Sequence, residues 1–237
     1  MSLNLPPLPA YIPLVFAFTT VLTIYLFCRS IHYPGSQKDR HYGIIICLVA
    51  WLALQTILTL KGIYNTNTTA LPPRIFAVGM FPPLLTIVLL FATKAGRQFV
   101  DGLSLPALTW LHVIRIPVEI VLFWLYLYQA IPQLMTFEGR NFDILAGITA
   151  PFVVYVGVTK GKLNKSVLLI WNILCLGLLL NIVINAALSA PSPLQQFAFD
   201  QPNVAILNFP YSWLPTCIVP IVLFAHLAAI RQLTRKA

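Results

Sequence analysis

Three ionisable side chains lie within one apolar run, Leu111-His112-Val113-Ile114-Arg115-Ile116-Pro117-Val118-Glu119. On a helix turning about 100° per residue, His112, Arg115 and Glu119 fall within roughly 60° of one another. Tyr126, seven residues beyond Glu119, extends the same face. Lipid exposure of Arg or Glu at mid-depth costs at least ~2.5 kcal/mol each on insertion scales, so this stripe must face a bundle interior or a wet cavity. His112, Arg115, Glu119 and Tyr126 are therefore the candidate site for a small-molecule ligand or for protons. Glu119 would carry the proton or a cationic ligand, Arg115 would act as counter-ion or hold an anionic group, and His112 would link the pair to the cytoplasm. The i, i+4 spacing also lets Arg115 and Glu119 pair within the helix. A neutral pair is cheaper to bury than a lone charge, so the same stripe suits a purely structural lock in an accessory protein.

His226, near the end of the last apolar run, is expected at the depth of His112. Two histidines at one depth on different helices suit haem or a metal. Nothing in their spacing requires it, and an interior hydrogen-bonded imidazole is the commoner case, so no cofactor and no metal are predicted. Beyond the polar stripe, Thr136-Phe137-Glu138-Gly139-Arg140-Asn141-Phe142-Asp143 places Glu138, Arg140 and Asp143 within six residues. They read either as an external gate or as a solvated turn, with a local Glu138–Arg140 pair and Asp143 favourably placed at the start of the following helix. A third reading puts lipid-modifying chemistry on Glu138 and Asp143. No HExxH, nucleophile elbow, phosphate-binding loop or dinucleotide fingerprint occurs, and no catalytic residue is assigned.

The elements that position these residues follow from composition. Of 237 residues 59% are hydrophobic and 9% charged, against about 25% charged in soluble domains; mean hydropathy is +0.84. That much apolar surface cannot be hidden inside a soluble protein of this size. The chain reads as an all-α polytopic membrane protein: one transmembrane domain over 1–237, with no soluble domain. A cytosolic enzyme domain, a disordered chain, a disulfide scaffold and a nucleic-acid binder are excluded. Cys28, Cys47, Cys175 and Cys217 lie in or beside apolar runs and read as small buried hydrophobes. Seven spans are expected near 10–28, 43–60, 75–92, 105–130, 142–158, 167–190 and 211–230. They are separated by segments marked with Gly, Pro and charge. The proline-rich segment 191–210 also carries Phe197, Phe199, Ile206 and Phe209, so it is expected to pack across the bundle mouth.

Seven alternating spans sort the basic residues. Arg29, Lys38, Arg40, Lys94, Arg97, Lys160, Lys162, Lys165, Arg231, Arg235 and Lys236 fall on one side, and Lys61, Arg74 and Arg140 on the other. By the positive-inside rule the amino terminus is outside and the carboxy terminus cytoplasmic. The net charge of +9 is thus a topology signal, and the cell (plasma or inner) membrane is the expected location. This topology resembles that of microbial rhodopsins and G-protein-coupled receptors, but no span carries the lysine a retinal needs and the receptor signatures are missing. Interior prolines (Pro13, Pro82, Pro83, Pro117, Pro151, Pro215, Pro220) favour kinks. Gln55, Thr56 and Thr59, and Asn172, Asn181 and Asn185, are read as interhelical hydrogen-bond partners that could line the same cavity. Small-xxx-small spacing of Ala146 and Ala150 favours close packing. The bilayer is the expected partner; a protein partner or homo-oligomer is left open.

Overall fold

The computed structural model describes residues 3–31 and 38–235. Lys38, Arg40 and Lys236, counted above, fall outside the described side chains. No strand occurs among the described residues; a single antiparallel bridge joins Ile31 to Leu103.

Among the described residues, eight helices longer than a single turn follow in chain order: α1 Tyr11–Ser30, α2 Lys38–Leu60, α3 Ile75–Ala92, α4 Lys94–Asp101, α5 Leu105–Leu127, α6 Ile144–Gly157, α7 Lys165–Ser189 and α8 Leu214–Thr234. Six of them, α1, α2, α3, α5, α7 and α8, are long and apolar enough to cross a bilayer, and the chain is an integral membrane protein. At 1.5 Å rise per residue α5 is about 34 Å long, enough for a hydrocarbon core of roughly 30 Å. By the same rise α6 reaches only about 21 Å. Large apolar side chains such as Leu14, Phe18, Ile46, Val88, Phe152 and Leu174 point outward, as lipid contact allows.

The bundle is organised around α5 and α8, the most buried of the six long helices, whereas α2 is the least buried. α8 packs along α7 and α5, α1 against α5, and α6 against the middle of α5. One end of the bundle is closed by polar ties. Ser104 donates its N–H to the Ser30 carbonyl at 2.8 Å, and Gln232 donates to the carbonyls of Val100 and Leu103. Asp101 accepts from Arg231 at 2.7 and 2.9 Å and from Arg235 at 3.1 Å. At the other end Asn65 and Asn208 bond side chain to side chain, and Asn208 donates to the Leu3 carbonyl.

Most of the interior prolines stand beside a tightened or widened turn, whereas α1 runs through Pro13 as a regular helix. Pro117 has no N–H for the Val113 carbonyl and its ring crowds that carbonyl. The turn just before it, His112–Ile114, tightens to a 3-10 turn within α5. Wide π turns stand at most of the others: Ile75–Met80 before Pro82-Pro83, Val153–Thr159 after Pro151, and Leu214–Ile218, which holds Pro215, before Pro220. Such mid-helix departures mark hinges and functional sites.

Segment 191–210 packs onto the bundle, as its apolar content requires. Gln201 donates to the carbonyls of Tyr126 and Ile131, and Val204 N–H donates to Ala130. Ala205, Ile206 and Leu207 are buried.

Candidate functional site

His112 opens the 3-10 turn of α5, Arg115 directly follows it, and Glu119 lies one turn further on. All three are buried, with 0%, 2% and 1% of their surface exposed. Gly147 on α6 makes this burial geometrically feasible. A Cβ there would lie 2.9 Å from Ile116 Cγ1, 3.1 Å from the Ile116 nitrogen and 3.3 Å from Arg115 Cβ, so only glycine lets α6 close over Arg115. Ala146 and Ala150, the small pair read from the sequence, are buried in the same helix.

The ion pair of this site differs from the i, i+4 pair expected. Arg115 Nη1 donates to Asp143 Oδ1 at 2.8 Å, and both side chains are at least nine-tenths buried. The same Nη1 donates to the Cys175 carbonyl at 3.3 Å, and Nη2 meets His226 Nε2 at 2.8 Å. No ion pair joins Arg115 to Glu119 among the described residues. One guanidinium on α5 therefore holds the start of α6, the backbone of α7 and a side chain of α8.

The tautomer of His226 follows from its neighbours. Asn172 donates its amide N–H to the Leu168 carbonyl at 3.0 Å, which turns its Oδ1 toward His226 Nδ1 at 3.1 Å. An amide oxygen only accepts, so Nδ1 carries the proton and Nε2 presents its lone pair to Arg115. His226 is thus a neutral imidazole with both nitrogens used. His112 stacks on it, rings 3.9 Å apart and 14° from parallel, with Trp171 edge-on at 5.7 Å. The common depth expected of the two histidines is found. Stacked rings do not aim their nitrogens at one point, and no group of three or more His, Cys, Asp or Glu converges as metal ligands among the described residues. Neither nitrogen of His112 has a partner.

Glu119 is held by Asn141, a residue the sequence did not single out. Asn141 Oδ1 accepts the N–H of Asp143 at 3.0 Å, two residues ahead. That fixes the amide orientation, so Nδ2 donates to Glu119 Oε1 at 2.5 Å and to the Met135 carbonyl at 3.0 Å. Glu119 Oε2 has no partner. With Oε1 committed as an acceptor, a proton on this carboxyl sits on Oε2.

Glu119, Arg115 and Asp143 line a cleft of about 60 Å³ between α3, α5, α7 and α8. At roughly 10–15 Å³ each it admits about four to six waters. Every other lining residue is apolar, among them Met80, Leu122, Met135, Ile206, Pro215 and Val222. None of Gln55, Thr56, Thr59, Asn172, Asn181 or Asn185 lines it, contrary to expectation. The α2 residues bond elsewhere: Thr59 with Ser212, Thr56 with Trp213, and Gln55 with Tyr64.

The remaining sequence candidates separate. Tyr126 stands apart from the cluster, half-buried, with its ring against Phe123. Glu138 and Arg140 are exposed and no ion pair joins them among the described residues; Arg140 lies over the Phe197 ring at 5.5 Å. Asp143 leaves this group altogether and belongs to the buried cluster.

The family described as Domain of unknown function (DUF8737) matches residues 72–234. The chain belongs to this family. The match holds α3 to α8 with Arg115, Glu119, Asn141, Asp143, Asn172 and His226, and leaves α1 and α2 outside. No curated protein and no solved structure matches the chain.

Proposed function

We propose that this member of the DUF8737 family is a seven-pass protein of the cell membrane that binds or moves protons or a small solute at Glu119. The observation that carries the reading is the unpartnered Oε2 of a buried carboxyl at an apolar cleft. An ionised Glu119 has no cation of its own, because Arg115 is engaged by Asp143. A charge inside a bilayer needs a counter-charge, and here it comes from a proton or a small cation entering the cleft. The apolar walls suit a ligand with little polarity beyond one such group.

The seventh pass is α6. It is shorter than a bilayer core, and a local thinning or the flanking residues 142–143 and 158–159 make up the length. Alternation over seven passes puts the amino terminus outside and leaves the basic ends of α1, α3, α6 and α8 in the cytoplasm, in keeping with the eleven-to-three distribution of Lys and Arg.

For Arg115 the structural-lock reading is favoured, since its guanidinium reaches α6, α7 and α8 at once. Lock and ligand site thus fall to different residues. The test is proton movement into vesicles holding the purified protein and a trapped pH-sensitive dye, driven by an imposed potassium diffusion potential. Wild type acidifies the lumen faster than protein-free vesicles, Glu119→Gln does not, and Glu138→Gln behaves as wild type. Equal rates for wild type and Glu119→Gln contradict a proton role.

A further inference from the structure

A second, larger gap lies on the other side of α8, and nothing proposed for Glu119 depends on it. Its volume is about 690 Å³, within the range of cavities that take a single small molecule. Phe27 of α1, Gly43 to Trp51 of α2, Pro82 to Leu90 of α3, Phe99 of α4 and Pro220 to Phe224 of α8 bound it. The two polar groups on its walls are already used: Trp51 Nε1 donates to the Thr216 carbonyl, and Thr86 Oγ1 to the Pro82 carbonyl. Apart from the Thr86 oxygen, which can still accept, and the weakly polar Cys47 thiol, the walls offer nothing to a polar ligand.

Its position selects the occupant. The lining of α3 runs over eight residue steps, about 12 Å, which is most of one leaflet of a roughly 30 Å core. On α1, α2 and α3 it lies toward the basic ends, where Arg29, Lys94 and Arg97 stand on α1 and α4, and on α8 it reaches Pro220 to Phe224, in the half away from Arg231. Lys94 and Arg29 are exposed. Arg97 donates to the carbonyls of Phe91 and Ala92, next to the lining residue Leu90. Phe99, two residues later on α4, enters the gap and stacks on Phe224. An apolar slot one leaflet deep under a basic rim matches an acyl chain beneath an anionic headgroup.

We propose that this gap is a binding site for an anionic phospholipid of the basic-side leaflet, its tail between α2, α3 and α8 and its phosphate at Arg29, Lys94 and Arg97. α2, so little buried by the rest of the chain, is then packed by the lipid.

The test is lipid retention by native mass spectrometry after equilibration with equal amounts of dioleoyl phosphatidylglycerol and dioleoyl phosphatidylcholine. Glycerol phosphate is used in a separate arm. Wild type retains phosphatidylglycerol in excess, and glycerol phosphate without tails does not bind. Arg29→Gln with Lys94→Gln lowers the excess roughly fivefold per charge and still retains some lipid, which reports an intact slot. Gly43→Trp, where a side chain meets open space, fills the slot and removes both lipids. Equal retention of the two lipids by wild type overturns the proposal. So does retention unchanged by Gly43→Trp, binding of glycerol phosphate alone, or a lipid-free dimer closed over the same face.

Discussion

Replacing Asp143 by alanine removes the carboxylate from a guanidinium that has 2% of its side chain exposed. At 2.8 Å the pair attracts by about 6 kcal/mol with an effective dielectric constant of 20. Desolvation of both ions offsets most of that, so the intact pair adds little net stability. An unpaired buried cation is a different matter and costs about 3–5 kcal/mol. Arg115 keeps its contacts to His226 and to the Cys175 carbonyl in the variant, which places the expected loss near the lower end, about 3 kcal/mol. That is roughly a hundredfold shift in the unfolding equilibrium, readable by reversible unfolding in mixed detergent–SDS micelles. Adding Arg115→Met removes the stranded charge and should restore most of the loss. Glu119→Gln, by contrast, keeps an acceptor for Asn141 and should change stability by less than about 1 kcal/mol. If Asp143→Ala were as stable as wild type, or Glu119→Gln the more damaging of the two, the partner of Arg115 would be misidentified.

Gly147→Val should destabilise by about 1–3 kcal/mol, because its Cβ meets the backbone of Ile116 and pushes α6 off Arg115; the same unfolding assay reads it, and a neutral result would place α6 further from α5. The hydrogen bond from Arg231 holds the Asp101 carboxyl below the usual carboxylate range. Its contribution to stability is therefore present above the ordinary carboxylate range and lost as pH falls through the lowered value, and Asp101→Asn should flatten that acid limb. Cysteine probes placed at residues 160–164 should react only with reagents on the cytoplasmic side, and probes at 66–70 and 192–196 only with reagents outside; a mixed pattern would change the number of passes.

The sequence carries the membrane class, six of its spans and the buried face of α5, because long apolar runs and a 100° period are local signals. It also places His112 and His226 at one depth. It does not carry the partner of Arg115. Spacing offered Glu119 one turn away, whereas the structure supplies Asp143 from twenty-eight positions along the chain, a choice that depends on how closely α6 approaches at Gly147. Asn141 is equally silent in sequence: it lies in a turn among charges, and its role comes from its amide, which accepts from the Asp143 N–H and donates to Met135 and Glu119. Tyr126 continues the face of Glu119 but lies about two turns beyond it, outside the cluster; the 3-10 turn at His112–Ile114 adds about 20° per residue to the helical wheel and so shifts only His112 against Arg115 and Glu119. Pro117 was the visible warning of that turn.

The most direct measurement of the role of Glu119 is an infrared difference spectrum of the purified protein between acidic and alkaline pH. A carboxylic acid at a buried, singly hydrogen-bonded site gives a resolved carbonyl stretch that shifts in deuterium oxide. A band of this kind that titrates in wild type, survives Glu138→Gln and disappears in Glu119→Gln is the predicted result. A spectrum of Glu119→Gln identical to wild type would contradict proton binding at Glu119.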